Sequence, residues 1–277
     1  DTIARKEHGH DVILAVGTRL VTSQWLDGQQ VIQIDVDPEE IGRHYENTLR
    51  VEGDAKLTME DLLTALSAKT QAKADRTAEV AAQKAQRNDD IIKVEPQGEL
   101  MEAVRKAMPE DSILISGMTQ MGYYSRAHYP VYEPRTFITS SYSGNLGYAY
   151  PTALGAKVAQ PDKAVVCISG DGGFMFNSQE MSTAVAHNIN VVVVVFNDNA
   201  YGNVKRDQMN QFNGRTIGVE LHNPDFVKLA EAYGAKGFVA NGPEELESTL
   251  KMALTLDAPV LIEVPVGPMP SPFFKPS

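Results

Sequence analysis

An α/β fold, with a doubly wound and mostly parallel sheet covered by helices on both faces, follows from three features of the sequence. Short apolar runs rich in β-branched residues recur along the chain, as at Ala164–Ile168 and Val191–Phe196. Each run stops abruptly at a small polar cluster, and stretches of helical length lie between consecutive runs. Strands that alternate with helices in this way build parallel sheets buried on both sides. A smaller α/β domain is expected ahead of the main one.

Composition narrows the function classes. With 277 residues, the chain can hold one large or two medium domains, and 43% hydrophobic residues are ample for their cores. A net charge of −11 argues against nucleic acid as a partner. No apolar run approaches the roughly 20 residues of a membrane span, so no membrane partner is expected. The single cysteine, Cys167, falls inside an apolar run. It excludes a disulfide framework, reads as a small core residue, and points to a reduced, cytoplasmic setting.

In chain order, residues 1–10 read as the end of a helix. A strand over Asp11–Val16 ends in Gly17-Thr18-Arg19, and a second over Val31–Asp35 ends in Asp35-Val36-Asp37. Asp37-Pro38-Glu39-Glu40 has the makings of a helix start: an Asp cap, Pro at the first position and acids in the first turn. Val51–Asp54 reads as a short strand or turn, and Ala55–Leu66 as an amphipathic helix. Residues 1–66 therefore form the later part of a Rossmann-like α/β domain. Residues 67–96, rich in Ala, Lys, Gln and Glu, read as a solvated helical linker. The main domain, residues 97–277, begins with a helix over Glu99–Met108 and a strand over Ser112–Ile115. A turn at Ser116–Gln120, a strand at Thr136–Thr139 and a polar loop at Ser140–Gly147 follow. A helix from Pro151 to Ala159 precedes the run at Ala164–Ile168. A helix over Ser178–His187 leads to the run at Val191–Phe196. A helix capped by Asn223-Pro224-Asp225, a strand at Gly237–Ala240, a helix over Pro243–Leu256, a strand at Val260–Val264 and a proline-rich tail on the surface complete the chain.

The two central runs carry the chemistry. Strand, helix and parallel strand bring Ser169-Gly170-Asp171-Gly172-Gly173 and Asn197-Asp198-Asn199 to one sheet edge, where open α/β sheets bind ligands. The glycines allow close approach of a ligand, and N–H groups ahead of the next helix favour an anion such as phosphate. Asp171 alone would repel that anion. A hard cation between them removes the conflict, because Mg²⁺ takes carboxylate, amide and carbonyl oxygens and bridges to phosphate. Asp198, or Asn197 beside it, is the second side-chain ligand. An alternative with Asp171 as a phosphotransferase nucleophile lacks a second acid two residues on.

Here the sequence resembles the thiamine-diphosphate-dependent enzymes, above all the acetolactate-synthase-like and 2-oxo-acid-decarboxylase-like branches. Gly170-Asp171-Gly172, a helix, a hydrophobic strand and an Asn-rich turn make up the family's cofactor motif, and the separation of Asp171 from Asp198 is similar to the family's. Phe176–Thr183 and Pro151–Ala156 resemble the flanking helices. The likeness covers residues 97–265; residues 1–66 resemble the last part of the family's central domain. That domain carries FAD or ADP in some members. Arg19 and Asp35 or Asp37 sit where a nucleotide could be touched, but a domain without ligand is favoured.

The resemblance implies thiamine diphosphate and Mg²⁺ as cofactors, with residue roles as follows. Asp171, Asp198 and the carbonyl of Ala200 would bind the metal; the family more often has Asn at the second position. Gly170 belongs to the motif, and Gly172 and Gly173 would offer N–H groups to the diphosphate. Met118 and Thr119 would make a second contact, where acetolactate synthases usually carry Gln-His. Gly144 would accept from the aminopyrimidine through its carbonyl, and Leu146 would prop the bent cofactor. Tyr201, Gly202 and Asn203 would close the far side. The implied reaction cleaves or forms a carbon–carbon bond next to the carbonyl of a 2-oxo acid substrate. Lys205, Arg206 or Arg215 could attract a substrate anion, although solvated surface charge is the favoured reading. Tyr123, Tyr124, Tyr129 and Tyr132 read as packing or interface residues. The family's activating Glu lies on a pyrimidine-binding domain that this sequence lacks. It is expected from a missing N-terminal region or a partner chain, in a homodimer or homotetramer. The chain alone is expected to be inactive, and a non-catalytic cofactor-binding role is the alternative.

Overall fold

The computed structural model describes residues 12–21, 29–69, 75–92, 94–140 and 143–272. The helix end expected at residues 1–10, part of the linker and polar loop, and the last five residues of the tail lie outside the described residues. Two compact units divide between Ala78 and Glu79.

The first unit is a parallel sheet in the order β1 (Val12–Val16), β2 (Gln30–Asp35), β3 (Thr48–Glu52), followed by α1 (Ala55–Ser67). Asp54 caps α1 by accepting from the N–H groups of Lys56 and Leu57 at 3.0 Å. Its small core joins Ala15, Leu20 and Val31, with Ile13 and Tyr45 packed against them.

The helix expected after Asp37 does not form; residues 38–46 are turns and bends. Asp37 does act locally, accepting from the N–H of Glu39 at 2.9 Å. Propagation would require the N–H of Gly42 to reach the carbonyl of Pro38. Instead the Gly42 N–H donates to Oε1 of Gln33 at 2.9 Å, the Arg50 guanidinium takes the Pro38 carbonyl, and Gly42 turns to φ +76°. Gln33, 2% exposed, also donates from Nε2 to the carbonyls of Thr18 and Glu40. A tertiary side chain has captured the groups that a helix would have used.

The second unit contains α2 (Thr77–Ile92), which begins just ahead of the unit boundary, and α3 (Gln97–Ala107). Residues 75–86 are exposed except for partly covered Gln83, as suits a solvated helix. Six parallel strands follow, in the order β5 (Phe137–Thr139), β4 (Ile113–Ser116), β6 (Val165–Gly170), β7 (Val192–Asn197), β9 (Val260–Pro265), β8 (Lys236–Val239). The helices are α4 (Gln120–His128), α5 (Ala149–Ala159), α6 (Asp171–Met175), α7 (Met181–Ala186), α8 (Gly202–Gln211), α9 (Phe226–Tyr233) and α10 (Pro243–Ala253). α4 and α8 go beyond the elements expected from sequence. The Ser178–His187 helix starts as a 3₁₀ turn at Ser178–Glu180.

Alternate residues of each central strand serve opposite cores. Val166, Ile168, Val192 and Val194 pack with Leu100, Val104, Met121 and Leu250, from α3, α4 and α10. Val165, Cys167, Val193 and Val195 pack with Leu154, Phe174, Met181 and Phe226, from α5, α6, α7 and α9. Cys167 is a fully buried free thiol, and burial pushes its pKa up. The chain steps outward from β4 to β5, then back past β4 to β6 and away through β7. The strand order thus reverses between β4 and β6, the crevice where doubly wound sheets bind ligands.

Replacing Gln33 with Leu leaves the Gly42 N–H and two carbonyls without their partner. Gln33→Leu is expected to destabilise the first unit by about 1–3 kcal/mol. Urea unfolding and faster hydrogen exchange in β1–β3 would report it; unchanged exchange would contradict the assigned role.

Candidate functional site

At the carboxyl ends of β4, β6 and β7 the chain encloses a cavity of about 210 Å³. Its lining includes Met118, Thr119, Gly144, Leu146, Gly170, Asp171, Gly172, Gly173, Asp198, Ala200, Tyr201, Gly202 and Asn203. All the residues to which the resemblance gave a thiamine-diphosphate or metal role therefore border one space. Gln120, Tyr123, Phe196, Val204, Val266 and Met269 also line it.

Asp171 stands at the start of α6, a single turn rather than the glycine loop the sequence suggested. Five residues cannot hold a helix in water. Phe174, 1% exposed, anchors it edge-on to Tyr150 (5.5 Å between centroids) and Phe226 (6.1 Å). Gly172 is glycine for space: a Cβ there would stand 2.5 Å from the Tyr201 ring and 3.0 Å from Leu221. Leu146, 38% exposed, lies near Gly173, 3.8 Å from where its Cβ would be. Met118 lies against Gly144, and Thr119 against Gly170.

The second polar cluster divides its work. Asn197 is committed to the scaffold: Nδ2 donates to Glu263 at 2.7 Å, and Oδ1 accepts from the Asn199 N–H and from Asn223. Of this pair, only Asp198 borders the cavity. Asn199 turns the chain at φ +54°, and a bridge pairs the segment with 219–221 through Tyr201 N–H to Val219 O and Leu221 N–H to Asn199 O, both 2.8 Å. The carbonyl of Ala200 is not used by that bridge.

Both carboxylates are pushed above the ordinary aspartate value. For Asp171 burial is the main cause, opposed by the Gly172 N–H, the Asn223 amide and the Ala200 N–H. For Asp198 burial and then the neighbouring Asp171 charge push it up to about 6. Asn223 donates to Asp171 Oδ2 at 2.6 Å, and Gln120 to Asp198 Oδ2 at 3.1 Å. Lys205, whose charge acts on Asp198, pairs with Glu220 at 2.7 Å. Mutual repulsion between a buried carboxylate, Asp171, and a partly buried one, Asp198, is relieved by a cation. Among the described residues there is no group of three or more His, Cys, Asp or Glu placed to hold a metal ion. Two carboxylates with a backbone carbonyl are hard oxygen donors, which suit Mg²⁺ rather than zinc.

Within Asn223-Pro224-Asp225 the cap of α9 is Asp225, which accepts from the Lys228 N–H at 3.0 Å, while Asn223 reaches Asp171. One reading needs correction. Arg206 is not a solvated surface charge, because Gln120, Asn203 and the Met269 carbonyl hold its guanidinium. Met269 belongs to the tail read as surface packing, and Val266 stands just ahead of it. Gln120 and Met269 are remote from Arg206 in sequence, and no local pattern marks them. The tyrosines separate: Tyr124 and Tyr129 are buried, Tyr123 lines the cavity and Tyr132 is exposed. In the first unit, the Asp35 and Asp37 carboxylates accept from the N–H groups of Asp37 and Glu39.

Residues 117–264, more than half of the chain, match the thiamine pyrophosphate enzyme C-terminal TPP-binding domain, and residues 3–62 match the central domain of the same enzymes. Thiamine pyrophosphate is thiamine diphosphate. Among curated proteins, the chain is 31% identical to a probable acetolactate synthase large subunit of Methanococcus aeolicus, over 93% of this chain and 47% of that protein. It is 34% identical to the acetolactate synthase large subunit of Haemophilus influenzae, over 90% and 46%. It is 30% identical to a probable 2-ketoarginine decarboxylase of Pseudomonas aeruginosa, over 92% and 46%. The chain thus spans about half the length of the curated relatives it matches. With a cavity of this make-up at the switch point of its parallel sheet, the chain belongs to the thiamine pyrophosphate enzyme family.

Proposed function

We propose that the chain binds thiamine diphosphate through Mg²⁺ at Asp171, Asp198 and the Ala200 carbonyl, and serves the cleavage or ligation of a carbon–carbon bond in a 2-oxo acid. The observation that carries this reading is the pair of carboxylates facing one cavity, Asp171 buried and Asp198 partly buried, each with a raised pKa. The cofactor, when bound, supplies the electron sink for the reaction. Gly172 and Gly173, at the start of α6, offer N–H groups to the diphosphate. Met118 and Thr119 make a second contact from the turn after β4. Gly144 receives the aminopyrimidine through its carbonyl, Leu146 supports the cofactor from below, and Tyr201, Gly202 and Asn203 close the far side. The curated relatives include both a synthase and a decarboxylase, and both outcomes fit this site. A pyrimidine-binding domain carrying a Glu, from another part of the protein or a partner subunit in a homodimer or homotetramer, completes the proton relay.

A ligand that binds only the folded chain raises its melting temperature; at a hundredfold excess over Kd the gain is about 2.7 kcal/mol. Thiamine diphosphate with Mg²⁺ is expected to raise the melting temperature of this chain, and Asp171→Ala to abolish the rise. No shift in the wild type, or an equal one in the variant, would sink the proposal. With the cofactors bound, the chain alone is expected to leave pyruvate unconsumed. Carbon dioxide release by the purified chain would contradict the need for a second domain.

The raised carboxylates give the ligand-free protein a pH signature. Between about pH 4 and 6 the folded chain holds a proton on Asp198 that the unfolded chain has released. Its contribution therefore makes stability fall as pH rises through that window, with the full penalty present above it. Asp198→Asn is expected to be more stable than wild type at pH 7 without ligand, and to lose that advantage near pH 4. The stabilisation by Mg²⁺ and cofactor runs the other way, growing from pH 5 to 7 as the competing proton leaves. Thermal unfolding across pH with both proteins measures the two trends.

A further inference from the structure

Gln120 lies between two groups of fixed polarity. Its Nε2 donates to Asp198 Oδ2 at 3.1 Å, and its Oε1 accepts from Nη1 of Arg206 at 2.9 Å. A carboxylate can only accept and a guanidinium can only donate, so one amide orientation alone satisfies both. Gln120 is 7% exposed, which makes an unpaired amide costly there. Arg206 is itself fixed on the other side. Nη1 also reaches the carbonyl of Met269 at 3.0 Å, and Nη2 donates to Oδ1 of Asn203. Backbone packs against the pair: a Cβ at Gly202 would collide with the Asp198 carboxylate and lie 2.5 Å from Nε2 of Gln120. Asp198 therefore meets bare backbone on one side and a polarity-locked amide on the other.

We propose that Arg206, acting through Gln120, is a positioning residue for Asp198. Arg206 keeps the nitrogen of Gln120 toward the carboxylate, and the amide holds Asp198 where it shares a cation with Asp171. Without Arg206, the Gln120 amide loses the anchor at Oε1, and its side chain is free to move away from Asp198 and release the carboxylate. This inference rests on the Mg²⁺ reading of the site. Outer partners of metal ligands alter metal affinity by about 10–100-fold when removed.

The test is a double-mutant cycle on this chain, with thiamine diphosphate present and Mn²⁺ as the probe, its binding followed by electron paramagnetic resonance. Gln120→Leu is expected to weaken Mn²⁺ binding about tenfold or more. Arg206→Met is expected to weaken it comparably. The double variant is expected to be no weaker than Gln120→Leu, because Arg206 has nothing left to act through. Arg206→Lys, which keeps a donor toward Oε1, is expected to bind closer to wild type than Arg206→Met does, and it also covers the case in which Arg206→Met fails to fold. A merely structural Arg206 would lower the ligand-free melting temperature and give losses that add in the double variant, and that result overturns the proposal. Wild-type Mn²⁺ affinity in Gln120→Leu overturns it as well. Mn²⁺ binding that is lost in Asp171→Ala but untouched by the Gln120 and Arg206 variants refutes the relay alone. Absence of Mn²⁺ binding in the wild type refutes the relay and the metal site together.

Discussion

The second unit holds two carboxylates together, one buried and one partly buried, at the ends of adjacent parallel strands, and much of the local structure exists to tolerate that. Asp171 and Asp198 repel each other, and burial adds to the cost of ionising either. Left alone, the arrangement opposes folding. Two amides oppose it in turn: Asn223 donates to one carboxylate and Gln120 to the other. Each amide is oriented by further groups, Asn197 and Glu263 on one side and Arg206 on the other. A site that stores repulsion in this way is stabilised most by what it is built to bind.

The sheet makes such a placement affordable. Alternate residues of β6 and β7 enter two separate cores, so both strands are clamped from above and below. Their carboxyl ends cannot drift apart without dismantling two packed layers, which are as dense as organic crystals. Strand-order reversal between β4 and β6 then opens the crevice into which the carboxylates face. The anchoring of Phe174 against Tyr150 and Phe226 carries the same rigidity into α6, whose five residues have no stability of their own.

Legibility in the sequence followed the range of the interactions. The strands at Ala164–Ile168 and Val191–Phe196 were readable because their apolar runs are continuous and their stops abrupt. The convergence of the loops that line the cavity, from Met118 to Asn203, was readable because each follows a strand of the parallel sheet. The helix expected after Asp37 failed because its signals were all local, while Gln33 and Arg50, distant in sequence, took the groups it needed. Asn223 looked like part of a helix cap for the same reason: Asn-Pro-Asp is a local pattern, and the contact of Asn223 with Asp171 spans 52 residues. Arg206 looked like surface charge because its acceptors lie on α4, on α8 and in the segment after β9.

The sequence by itself determined the alternation of strands and helices, the two polar clusters at strand ends, and the glycine and carboxylate chemistry that points to a diphosphate and a hard cation. Those properties depend on residue type and short spacing, which a linear reading preserves. Only the tertiary structure decided that Asp198 rather than Asn197 faces the cavity, and which amides hold the carboxylates. It also showed that Gly172 is small because the Tyr201 ring occupies the space beside it. Each of these depends on which distant groups the folded sheet brings within hydrogen-bond or van der Waals reach, and that distance is set by packing rather than by position along the chain.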